Sequence, residues 1–122
     1  MDAHERAELR AILRARLDAV RERLRADEDA LRELAGARSD ATADDEHDPE
    51  GSTLSDEWSR LEGLRAEALR ERERIESAIA RLGAGDFGLC ATCGRAIPVE
   101  RLRIRPTATQ CVACAGLSSR RR

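Results

Sequence analysis

Aromatic residues are almost absent from this 122-residue chain: Trp58 and Phe87 are the only two, and there is no tyrosine. A globular core of this length ordinarily draws on more large rings, because each buries so much apolar area. Their scarcity argues against a conventional globular core. Lysine is missing too: all 22 basic residues are arginines, a bias that genome composition alone can produce. The N-terminus, Met1-Asp2-Ala3-His4-Glu5-Arg6, has no apolar segment of the kind an export leader needs, and no run approaches a membrane span. These absences set the expected address as the cytoplasm, away from membranes. In a reducing compartment Cys-x-x-Cys pairs stay as thiols, so metal binding outranks a disulfide framework.

What is present is charge and small aliphatic side chains. Charged residues make up 38% of the chain, and the apolar residues are mostly Leu, Ala and Ile. That profile fits long exposed helices with a narrow apolar seam. The net charge of −2 hides an asymmetry. Between Ser39 and Glu57 there are eight acids and no arginine, whereas from Cys90 onward seven arginines face one acid, Glu100. Such separation orients a molecule on a charged partner more than it shapes a fold.

From about His4 to Leu34 no Gly or Pro interrupts a helical pattern. Leu13, Leu17, Val20, Leu24, Leu31 and Leu34 alternate spacings of four and three, with Asp27 in the one polar slot. Gly36 follows as a plausible C-cap. Residues 37–55 are small, acidic and turn-forming, with Pro49 and Gly51 inside, and read as a connecting tip. Ser55 suits an N-cap, with Asp56 and Glu57 in the first turn. A second helix then runs to about Leu82, with a seam of Leu61, Leu64, Ala68, Glu71, Ile75, Ala78 and Leu82. The expected architecture is mostly α: an antiparallel coiled-coil hairpin over residues 1–84, with arms of roughly 40 Å at about 1.5 Å per residue. Pairing of the helices between two chains is the competing arrangement; a monomer is expected. Trp58 reads as a packing residue near the tip, and His4 and His47 as exposed side chains.

The remainder is a cysteine module over residues 85–117, followed by a basic tail, 118–122. Cys90-x-x-Cys93 and Cys111-x-x-Cys114 are separated by seventeen residues, a spacing expected of an all-thiolate zinc ribbon or finger. Each Cys-x-x-Cys lets two sulfurs converge from one tight turn, and Gly94 suits the sharp knuckle after Cys93. The intervening residues are enough for a short hairpin, along which Arg101, Arg103 and Arg105 would alternate on an exposed strand face. Phe87, Leu89, Ile97, Val99, Leu102 and Ile104 are too few to hold the segment, so a metal must contribute to folding. A redox dithiol normally sits in a βαβ pattern, which is lacking, and an iron site would need an electron-transfer context. One structural zinc is the favoured reading, with Cys90, Cys93, Cys111 and Cys114 as ligands and no open position for catalysis.

The stretch Gly85-Asp86-Phe87-Gly88-Leu89-Cys90-Ala91-Thr92-Cys93-Gly94, then Ile97, Arg101-Leu102, Pro106 and the second cysteine pair, resembles the DksA/TraR family of bacterial RNA polymerase regulators. The match covers roughly the last third of the chain, and the tip resembles those of short actinobacterial members. The resemblance implies a protein that binds RNA polymerase without sequence-specific DNA contact, its coiled coil entering the secondary channel. The family tip D-x-x-D-x-A is met by Asp45 and Asp48, with Glu50 at the alanine position. A different reading makes the basic C-terminal part a nucleic-acid-binding zinc ribbon, or a protein-interaction module with another target. Against nucleic acid stand the missing aromatic stacking platforms and the acidic overall charge. No nucleophile–base pair or phosphate loop can be placed, so the expected class is not an enzyme.

Overall fold

The computed structural model describes the backbone of residues 1–44 and 49–120, and the side chains of 1–39 and 53–118. Among the described residues there are four helices: α1 (Ala3–Asp44), α2 (Pro49–Ala84), α3 (Val99–Ile104) and α4 (Val112–Arg120). Among the described residues there is no strand, only an isolated antiparallel bridge between Leu89 and Ala96. The mostly α architecture is as expected. No helix among the described residues is long and apolar enough to cross a membrane.

Both long helices continue into the stretch read as a tip. α1 passes through Gly36 to Asp44, and α2 starts at Pro49, so Ser55 lies inside a helix rather than capping one. Gly36 does not adopt the positive φ of a helix-ending glycine. The cause is energetic. An internal glycine costs a helix only about 1 kcal/mol, and a proline at the first helical position costs little, because its missing N–H would have no intrahelical partner there. The punctuation read from Gly36, Pro49 and Gly51 was therefore weaker than the helix propensity of the alanines and arginines around Gly36.

The chain divides into two compact units. One is Ala19–Arg72, a section of paired α1 and α2. Its buried seam is Val20, Leu24 and Leu31 from α1 with Leu61 and Ala68 from α2. Arg23 donates to Glu71 at 2.6 Å, Arg65 lies 3.8 Å from Glu28, and the Arg38 guanidinium sits 5.5 Å over the Trp58 ring. Rising numbers on α1 meet falling numbers on α2, so the pairing is antiparallel. These pairs are largely exposed, worth about 0–1 kcal/mol each; they set register more than stability. The seam departs from expectation at two places. Leu64 is 46% exposed, and Arg65 beside it is half-buried and pairs with Glu28. Glu71, read as a seam position, instead receives Arg23.

The other unit joins Met1–Asp18 to Glu73–Arg122. Here the seam begins a turn earlier than read from sequence, at Leu9, which is fully buried with Leu13, Ile75, Leu82 and Leu102. α1 opens on a reciprocal cap: the Glu5 amide donates to the Asp2 carboxylate at 2.7 Å, and the Asp2 amide to Glu5 at 3.0 Å. At the other end, the amides of Gly85 and Asp86 both donate to the Arg81 carbonyl, closing α2 at a glycine of φ 89°.

Gly63 lies within α2, with helical φ and open space where a Cβ would stand. Gly63→Ala should stabilise the chain by about 0.5–1 kcal/mol, read as a rise in thermal midpoint. An unchanged or lowered midpoint would mean that the glycine relieves a constraint on the helix.

Candidate metal centre

The cysteine module starts where α2 ends. Gly85-Asp86-Phe87-Gly88 turns the chain back, and Phe87 enters the buried set while Gly88 takes φ 87°. A Cβ on Gly88 would stand 2.8 Å from the Met1 methyl, the movable end of a flexible side chain, and 3.6 Å from a Leu102 methyl, so it is the left-handed backbone that requires glycine there. The Ile97 amide donates to the Gly88 carbonyl at 2.7 Å, and the Cys90 amide to the Arg95 carbonyl at 2.8 Å. Between them the Gly94 amide returns to the Cys90 carbonyl at 2.9 Å, with Gly94 at φ 76°. These bonds make the knuckle that holds Cys90 and Cys93 on one turn.

The second pair arrives differently. Instead of a strand carrying alternating arginines, residues 99–104 form α3. Pro98 cannot donate to a ladder, and its φ of −56° starts a helical turn readily. On this helix Leu102 is buried and Ile104 is 73% exposed. The arginines separate accordingly. Arg103 makes a two-pronged pair with Glu8 of α1, at 3.0 and 3.2 Å, whereas Arg101 and Arg105 share a groove with Arg16, Thr107, Thr109 and Gln110. The Arg101 side chain donates to the Gln110 carbonyl at 3.1 Å, and the Ala91 amide to the Thr109 carbonyl at 2.7 Å. Gln110 itself bonds Thr92 at 2.9 Å and Ser118 at 3.1 Å, tying both cysteine turns and α4 together. Cys114 is carried on the first turn of α4.

All four Sγ atoms lie within 4.8 Å of one another, and those of Cys93 and Cys111 are 3.9 Å apart. A tetrahedron with metal–sulfur bonds of about 2.3 Å has edges of about 3.8 Å, so the spacing is that of a zinc site and far too long for a disulfide. Cys90 and Cys114 are buried, Cys111 is half-buried and Cys93 is exposed. The four free thiols are the only metal-ligating cluster among the described residues.

Backbone electrostatics prepare the sulfurs for a cation. The amides of Cys93 and Cys111 face the Cys90 sulfur and lower its pKa from the ordinary 9.0 to about 6. The Cys114 amide does the same for Cys111. Cys114 moves the other way, up to about 12, because it donates its thiol proton to Cys111 and is buried. Packed this closely, four thiols cannot all ionise without a counter-charge; a dication supplies it and favours the all-thiolate form. The donor set fits one structural zinc, whose four positions the protein itself fills.

Asp45, Asp48 and His47, singled out from sequence, lie outside the described residues, and Glu50 falls in the first turn of α2. Sequence reading missed Glu8 and Arg16. Their signal was weak, since each is one charged residue among many on a helix surface.

Residues 85–120 match the model of the prokaryotic DksA/TraR C4-type zinc finger. The RNA polymerase-binding transcription factor DksA of Haemophilus influenzae is 43% identical over 54 residues, covering 40% of this chain and 37% of that protein. DksA of Escherichia coli K12 is 41% identical over 54 residues, covering 40% and 36%. The aligned region thus spans little more than a third of these relatives' length. Transcription factor DksA2 from Pseudomonas aeruginosa has the same fold: its structure superposes with a TM-score of 0.84 over 99% of this chain and 88% of that one, at 23% identity.

Proposed function

We propose that this chain, whose residues 85–120 match the DksA/TraR zinc-finger model, is a DksA/TraR-type protein that regulates transcription by binding RNA polymerase. Cys90, Cys93, Cys111 and Cys114 hold one zinc ion that fixes the module, and the paired helices carry the acidic segment with Asp45, Asp48 and Glu50. The observation that carries the reading is the 43% identity over 54 residues to a relative named as an RNA polymerase-binding transcription factor. The protein is a cytoplasmic monomer, acts by protein contact rather than by sequence-specific DNA binding, and is not an enzyme.

The mechanism is electrostatic. The helical pair would enter the polymerase secondary channel, and the carboxylates of the sequence segment that joins α1 to α2 would act on the magnesium-bearing catalytic centre. Asp45 and Asp48 would perturb metal or nucleotide entry there through charge, and the fixed negative potential also favours approach to a basic pore. Supporting this, the acids cluster between Ser39 and Glu57 with no arginine among them, a pattern that steers orientation.

The double substitution Asp45→Asn and Asp48→Asn tests the division of labour. Its effect on transcription in vitro should be largely lost, because the carboxylates act on the catalytic centre, while binding to core polymerase, weakened only by the loss of charge attraction, changes much less. Unaltered regulation by the double variant would remove the tip from the mechanism.

A further inference from the structure

We infer that the first helical segment, Met1–Asp18, is part of the metal module's fold, so that zinc occupancy controls the order of a segment at least 72 residues from the nearest cysteine in sequence. The inference rests on the assignment of the four cysteines as zinc ligands and goes beyond it.

Three kinds of contact carry it. First, Glu8 accepts both prongs of Arg103, which stands on α3 midway between the two cysteine pairs. Second, Arg16 donates to the Ile104 carbonyl at 3.2 Å, at the end of the same short helix. Third, the Met1 methyl and Leu102 both close on Gly88, two residues before Cys90. Leu9 and Leu13 are fully buried within the same compact unit as Leu102. The module alone is poor in apolar material, and α3 has only six residues, too short to persist by itself. Zinc and the α1 segment therefore supply different parts of one cooperative structure. The Ala19–Arg72 unit has its own seam and its own cross-helix pairs, Arg23–Glu71 and Arg65–Glu28.

Linkage makes the relation reciprocal: if zinc orders residues 3–18, then weakening the packing of that segment must weaken zinc binding by the same factor. Leu9→Ala should lower zinc affinity by at least about tenfold, since truncating a buried leucine is strongly felt in the unit that packs it. Leu31→Ala, a comparable truncation in the Ala19–Arg72 unit, should leave the affinity unchanged, as expected for independent sites. Glu8→Gln, which preserves shape and removes only the charge, should weaken it about twofold, the scale of a partly exposed ion pair. It serves if Leu9→Ala does not fold.

The experiment is zinc titration of the full chain and these variants against a competing chelator, with hydrogen exchange of the wild type with and without zinc. Zinc removal should cost amides of residues 3–18 at least about tenfold in protection, as local opening becomes easier, and leave those around Val20–Leu31 much less changed. A wild-type chain that binds no zinc would overturn the ligand assignment itself. Zinc binding that Leu9→Ala and Glu8→Gln leave untouched, or that Leu31→Ala weakens as much as Leu9→Ala, would overturn the coupling and leave the assignment standing.

Discussion

Cys93→Ser is expected to leave residues 85–120 without a stable fold and the chain without stoichiometric zinc. Cys93 is the most exposed of the four thiols, so the substitution creates no cavity and introduces no buried polar group. Its cost is almost wholly the loss of a ligand. Structural zinc contributes about 10–16 kcal/mol of apparent binding energy in small zinc-finger peptides, far above what a handful of buried side chains provide in this module. Two of its buried apolar residues are the ligands Cys90 and Cys114 themselves; without them Phe87, Ile97, Leu102 and Pro106 remain. Metal content after gel filtration and amide NMR of residues 85–120 would check the result. A folded metal-free module would show that the four sulfurs are only packing.

The second large effect separates two side chains that lie two residues apart. Leu102 is fully buried, and Leu102→Ala should destabilise the unit by about 2–5 kcal/mol through lost transfer energy and the cavity left behind. Ile104 is 73% exposed, and Ile104→Ala should fall within about 0.5 kcal/mol of the parent. The contrast tests the helix as well as the burial. On a strand residues 102 and 104 would share a face and respond alike; on α3 they point apart. Denaturant unfolding of the zinc-loaded variants measures both, and equal losses would contradict the helical assignment.

The cysteine module was legible because its signals are chemical and local. Two Cys-x-x-Cys turns and a glycine after Cys93 require a knuckle, and Gly94 does adopt a left-handed φ of 76°. The α1 seam was legible for a related reason: heptad spacing from Leu13 to Leu31 reports burial directly. The rest depended on competition between small terms. Gly36 and Pro49 are weak stops, and the helices run past them. Leu64 and Arg65 both fit a helical repeat at that point. Leu61, Ala68, Ile75 and Leu82 hold the buried seam at intervals of seven, while Leu64 is left exposed and Arg65 pairs with Glu28. The α3 segment alternates charged and apolar residues like a strand, yet Pro98 and the bonds of Leu102 to Pro98 and Arg105 to Arg101 wind it into a helix. Contacts such as Glu8 with Arg103 join residues 95 positions apart, and no local pattern reports them.

The central claim is that this chain binds RNA polymerase, and direct binding of the zinc-loaded protein to core polymerase from the same organism tests it. Saturable binding at micromolar concentration or tighter, displaced by a cleavage factor that occupies the secondary channel, is the predicted result. Absence of binding in that range would contradict the account and leave a zinc-stabilised helical protein whose partner is something other than polymerase.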